Sequence, residues 1–143
     1  MAYPSTQPIT ITASTTLTRD VHAGNVINLN ALAGLTVTLP ASSGKGDVYE
    51  FFVPVTVTSN NYIIQVANAT DVINGAVHLT TDISGTSMPA SGTDDTITMN
   101  GSTKGGVKGT WIRLKDCFSG TWALEGSLVC TGTEATPFSA AVS

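Results

Sequence analysis

The residues of this 143-residue chain that could do acid–base, nucleophilic or metal chemistry are few: two histidines, two cysteines and ten carboxylates. His22 in Asp20-Val-His-Ala-Gly24 and His78 in Val77-His-Leu79 have no Cys or Ser nucleophile at a motif spacing. Cys117 and Cys130 stand alone, far from any histidine pair, so no zinc pattern exists. Asp94-Asp95 has the right oxygens for Ca²⁺, but no further acidic ligands follow at EF-hand or RTX spacing. A turn, where Asp bonds its own backbone, accounts for the pair more cheaply. Gly44-Lys-Gly46 lacks the Gly-x-x-x-x-Gly-Lys-Ser/Thr frame of a phosphate loop and joins strand to strand rather than strand to helix. Asn68-Ala-Thr70 and Asn100-Gly-Ser102 match glycosylation sequons, which carry no weight without a secretory signal. No constellation for catalysis, metal or cofactor is read, and the expectation is a protein that is not an enzyme. The aromatics are the remaining candidates. Trp111 suits an exposed sugar platform or a protein hot spot, unless a second sheet covers it.

The elements that position these residues are strands. Charged residues make up 11% of the chain, about half the usual fraction. Threonine, Ser, Asn and Gly stand where Lys and Glu normally would, and β-branched Thr and Val suit a pleated, half-buried surface. No window shows an apolar stripe long enough for a real helix. Six Lys and Arg in a chain of net charge −4 make no phosphate-tracking stripe, so nucleic acid is not an expected partner. Nothing approaches the roughly 18 apolar residues of a membrane span, and no basic-then-apolar leader is read at the N-terminus, which suggests folding in a cytoplasm.

Pro4 and Pro8 make residues 1–8 an extended arm, and residues 9–143 then read as one β-sandwich domain. The expected strands are Ile9–Ala13, Thr15–Arg19, Val26–Leu29, Leu35–Leu39, Val48–Thr58, Tyr62–Ala67, Ala76–Thr80, Thr96–Met99, Gly109–Cys117 and Thr121–Thr131. Short strands at this spacing argue for an all-β, antiparallel sandwich or jelly roll. Asp82–Asp95, rich in Ser, Gly, Thr and Pro, reads as a long loop. Gly101, Gly105, Gly106 and Gly109 read as a flexible tip around Lys104 and Lys108.

Parity assigns the faces. Leu35, Val37 and Leu39 share one side, as do Tyr49, Phe51, Val53, Val55 and Val57. Pro54 cannot donate to a ladder, so its strand is expected at an edge or with a bulge. Phe52 beside Pro54 on the polar side asks either for a partner or for a loop that seals it. In the last hairpin a three-residue loop, Phe118-Ser119-Gly120, sets Leu114 against Leu124 and Arg113 against Glu125. That register turns Cys130 inward and leaves Cys117 on the face of Arg113 and Lys115, so two free thiols are expected.

The frame Asn28-Leu-Asn-Ala-Leu-Ala-Gly-Leu-Thr-Val-Thr-Leu-Pro40, the loop Gly44-Lys-Gly46 and Tyr49-Glu-Phe-Phe-Val53 resemble small phage structural proteins. The resemblance continues through Val57-Thr-Ser-Asn60, Tyr62-Ile-Ile-Gln-Val-Ala-Asn68, Asp95-Thr-Ile-Thr-Met-Asn-Gly101, Gly105-Gly-Val-Lys-Gly109 and Thr131-Gly-Thr-Glu-Ala-Thr-Pro-Phe-Ser139. It is similar to the head decoration (cement) proteins of tailed bacteriophages. The resemblance implies a β-sandwich that assembles as a homotrimer on the outside of the phage head and clamps neighbouring major capsid protein subunits. The arm residues Ala2, Tyr3 and Pro4, the strand residues Phe52, Pro54 and Trp111, and the tail residues Thr136, Pro137 and Phe138 are the expected contacts to capsid or protomer. Two other readings stand beside it, a tail-fibre or receptor-binding module and a carbohydrate-binding β-sandwich using Trp111 or Tyr62.

Overall fold

Alternation of apolar and polar residues writes most of the strands directly. The computed structural model describes residues 7–143, so the expected contacts Ala2, Tyr3 and Pro4 lie outside the described residues. Within them run β1 (Ile9–Ile11), β2 (Thr15–Thr16), β3 (Val26–Leu29), β4 (Leu35–Thr38), β5 (Val48–Phe52) and β6 (Tyr62–Gln65). Then follow β7 (Val72–Thr80), β8 (Gly85–Pro89), β9 (Thr96–Met99), β10 (Trp111–Phe118), β11 (Thr121–Val129) and β12 (Phe138–Ser139). Two sheets pack face to face: a seven-stranded one in the order β1-β3-β5-β10-β11-β7-β8, and a five-stranded one in the order β12-β9-β6-β4-β2. The all-β sandwich expected from the sequence is the fold.

The pairing within it is mixed rather than antiparallel, for a topological reason. From β1 to β6 the chain crosses to the other sheet after every strand, so successive visits to one sheet run in the same direction. β1, β3 and β5 are therefore parallel neighbours, and so are β2, β4 and β6. Each crossing is a turn of stacked arch. Its inward residues form ladders, Ile9 beside Ile27 beside Phe51 in one sheet and Leu35 beside Tyr62 in the other. Between the sheets these ladders make one apolar core, in which Ile27, Leu29, Val37, Leu39, Tyr62, Ile64 and Ile97 are fully buried. Tyr49 meets Trp122 edge to face at 5.6 Å and 71°, worth about 1 kcal/mol beyond the area buried.

Four expectations about elements change. Val48–Thr58 is not one strand: β5 stops at Phe52, and it lies between β3 and β10 rather than at an edge. Pro54 is accommodated by falling past the strand's end. Beyond it, Val53 and Val57 stay buried, and their N–H groups donate to Thr110 and Gly106. The expected loop Asp82–Asp95 holds β8, an edge strand antiparallel to β7. Only Met88 of its residues is apolar and packed, which leaves no alternation to read. The Gly101–Gly109 segment is no loose tip, because Gly105 and Gly106 are buried and Gly101 N–H donates to Gly105 O at 2.8 Å. Finally Thr15–Arg19 gives way after two strand residues to one helical turn, α1 (Arg19–His22).

The last hairpin keeps its expected register, Leu114 against Leu124 and Arg113 against Glu125. The expected three-residue loop is not what closes it: Phe118 pairs with Thr121, so Ser119-Gly120 makes the turn with Gly120 at φ 81°, and the extra residue, Cys117, is taken up as a register shift between Asp116 and Phe118. Cys117 is exposed, Cys130 is buried, and both are free thiols.

Candidate functional site

The face of the larger sheet turned away from the core carries a cross-strand row: Thr10, Asn28, Phe52, Trp111, Ser127, His78 and Ser87. Trp111 is 37% exposed, so the second sheet does not cover it. Its indole lies 6.0 Å from the Phe52 ring with the planes at 57°. The expected contacts Phe52 and Trp111 are thus brought together as directly paired neighbours on β5 and β10. Pro54 lines a shallow hollow beside Phe52 with Lys108 and Gly109. On the far side of Trp111, a groove of ≈ 310 Å³ is lined by Ala76, His78, Trp111, Glu125, Gly126 and Ser127. Ser87 Oγ and His78 Nδ1 are 2.7 Å apart at its border.

The next row is ionic. Arg113 reaches Glu50 at 3.4 Å on one side and Glu125 at 3.2 Å on the other. These are surface pairs, each worth about 0–1 kcal/mol. Their effect is to hold the Glu125 carboxylate at the groove's edge.

The smaller sheet presents a different surface. Its strands β2, β4, β6, β9 and β12 contain no charged residue. Alternating with the buried Leu35, Val37, Tyr62, Ile64, Ile97 and Met99, the outward residues are Thr36, Thr38, Ile63, Gln65 and Thr98. Register places Thr36, Ile63 and Thr98 in one row, with Thr38 and Gln65 in the next. All five are partly exposed.

The tail departs from expectation. β12 pairs with β9, and Phe138, 8% exposed, belongs to the core. Asp95 Oδ1 then accepts from the N–H groups of Ala141 and Val142 at 2.8 and 3.1 Å. Pro137 and Phe138 are therefore spent inside their own chain rather than offered to a partner. Thr136 alone of the three expected tail contacts is exposed.

The segment Ser42-Ser43-Gly44, which runs into Gly44-Lys-Gly46, cradles an anion, and the anion is the chain's own. Asp116 accepts from Ser43 N–H, Gly44 N–H and the Ser42 and Ser43 hydroxyls at 2.7–3.2 Å. Burial by itself would raise its pKa. The hydrogen bonds from Ser43 N–H, the Ser42 hydroxyl, Gly44 N–H and the Ser43 hydroxyl outweigh it and hold the carboxyl below its ordinary value. The parity of β10 points Asp116 inward, but no local spacing announces a partner 72 residues earlier.

The other chemical candidates resolve into local structure. His22 is buried, and its Nδ1 takes the Thr18 N–H at 2.9 Å. Asp94 Oδ2 accepts from Ser91 N–H at 2.7 Å in a turn. Asn68 Oδ1 accepts from the N–H groups of Thr70 and Asp71. Among the described residues no group of three or more His, Cys, Asp or Glu converges as metal ligands would. Ser127 as a neighbour of Trp111 follows from the expected hairpin register, but His78 and Ala76 were not legible in the sequence, because a parallel β7–β11 pairing brings them there. In comparison with known proteins, no family model, no curated protein and no solved structure matches this chain.

Proposed function

We propose that this chain is a virion structural protein, a capsid decoration protein that binds the outer surface of a tailed-phage head and bridges neighbouring major capsid protein subunits. The observation that carries the reading is the charge-free outer face of the smaller sheet, Thr36, Thr38, Ile63, Gln65 and Thr98. Interface cores are depleted in Lys, Glu and Asp, because burying an unpaired charge costs more than an interface returns. Here the depletion is confined to one side of the sandwich, while Glu50, Arg113, Lys115 and Glu125 face the other. The resemblance of Asn28–Pro40, Tyr49–Val53 and the later segments to head decoration proteins supplies the kind of partner.

The mechanism is linkage. A protein that binds only the expanded shell stabilises that shell in proportion to the logarithm of free concentration over Kd. Three copies on one lattice position turn three weak contacts into one strong one. In this arrangement the smaller sheet faces the shell. Phe52 and Trp111, expected from the sequence as contacts, belong to the opposite face and look outward.

Cryo-electron microscopy of particles carrying the protein tests the reading. Density repeated over the head lattice, with the β4–β6–β9 face toward the capsid, is the expected result. Density confined to the tail would replace it with the fibre-module reading.

A further inference from the structure

We infer that the groove beside Trp111 is a binding site for a neutral pyranose sugar, displayed on the face opposite the one proposed to dock. A pyranose has an apolar C–H face and a rim of hydroxyls that both donate and accept. The groove answers each part.

The indole supplies the flat apolar wall, and it is held before any ligand arrives. Phe52 packs beside it at 6.0 Å, and β10 lies within the sheet between β5 and β11, so the backbone that carries the indole is fixed by pairing on both sides. Ala76 and Gly126, having almost no side chain, leave the groove's floor open beside the indole. Its ≈ 310 Å³ lies at the low end of small-molecule sites, which suits a single ring or a short glycan end.

The polar rim supplies the hydrogen bonds. Glu125 is an acceptor for a pair of adjacent hydroxyls, and its position is set by Arg113 at 3.2 Å. Ser127, directly paired with Trp111, both donates and accepts. His78, directly paired with Ser127, has Nδ1 engaged by Ser87, which leaves Nε2 for the ligand. The charge of the site selects a neutral sugar: Arg113 is shared between Glu50 and Glu125, so its guanidinium is not offered to a carboxylated or sulfated ring.

This site does not rest on the docking proposal, and the test separates the two. The full chain, free of any particle, is titrated with the methyl glycosides of glucose, galactose, mannose and N-acetylglucosamine, read by saturation-transfer NMR on the sugar and by amide shifts of the labelled protein. At least one glycoside should bind with Kd on the order of 1 mM. The shifts should centre on the amides of Trp111, Ser127 and His78. Trp111→Ala should abolish the transfer signal, and Ala76→Trp, which fills the groove and leaves the indole in place, should abolish it too. Both variants should still occupy phage heads as the unsubstituted chain does. The inference is overturned if none of the four glycosides gives a signal, if the shifts map elsewhere, or if binding survives Ala76→Trp. Loss of head occupancy in both variants would overturn the assignment of this face as outward, and a protein partner would take its place.

Discussion

At the scale of single residues, Asp116 shows how a carboxylate can close a loop. Its two oxygens collect the donors of Ser42, Ser43 and Gly44, and so tie the segment between β4 and β5 to β10. Because its folded pKa lies below the ordinary carboxylate value, the stabilisation is complete above that value and is lost as pH falls through the depressed one. Asp116→Asn is expected to cost about 2 kcal/mol at neutral pH, since the amide cannot accept from all four donors as an anion does. Urea unfolding at a series of pH values should show the gap to the unsubstituted chain narrowing on acidification; a gap independent of pH would disprove the charge's role. Gly75 is held at φ 138° in the β7–β11 pair, where an added Cβ would collide with Leu124 O. Gly75→Ala should therefore cost about 3 kcal/mol, measurable by the same unfolding curves. The cysteines give a kinetic prediction. Cys117 is exposed, whereas burial pushes the Cys130 thiol up and Leu128 O accepts from it at 3.7 Å. A disulfide reagent should titrate Cys117 at once and Cys130 only at the rate of opening. Equal rates would place both thiols at the surface. The facing of both was legible from the parity of β10 and β11, because alternation is a local property.

At the scale of elements, legibility follows contact distance. Strands with one buried face, such as β4 and β5, announce themselves by alternation. β8 does not, since an edge strand with Gly85, Thr86 and Ser87 exposed has no buried face to encode. The parallel arches are equally silent: which strand lies beside β3 depends on the crossing between sheets, and parity says only which side chains point inward. The tail illustrates the same limit. Thr131–Ser143 has no long apolar run, yet β12 closes the edge of the smaller sheet and buries Phe138 against the core. Phe138→Ala should cost about 3 kcal/mol, and thermal melting would detect it. A melting temperature unchanged by that substitution would return the tail to the role of a free contact arm.

At the scale of the molecule, the two sheets divide the surface by chemistry. One side carries Trp111, His78 and the Glu50–Arg113–Glu125 row; the other is Thr, Ile and Gln without a charge. Sequence composition alone shows that charge is scarce, but only the assignment of strands to sheets shows that it is absent from the strands of one sheet among the described residues. That segregation is the observation behind the proposal of a decoration protein that docks on its smaller sheet. The most direct test plants a charge at the centre of that face. Ile63→Glu changes an outward, partly exposed side chain, so the fold should survive, as an unchanged near-UV spectrum, to which the packed Trp122 and Tyr49 contribute, would confirm. Co-sedimentation with expanded heads lacking the protein should then show occupancy reduced at least about tenfold, the equivalent of 1.4 kcal/mol for one buried unpaired charge. Occupancy equal to that of the unsubstituted chain would contradict the account.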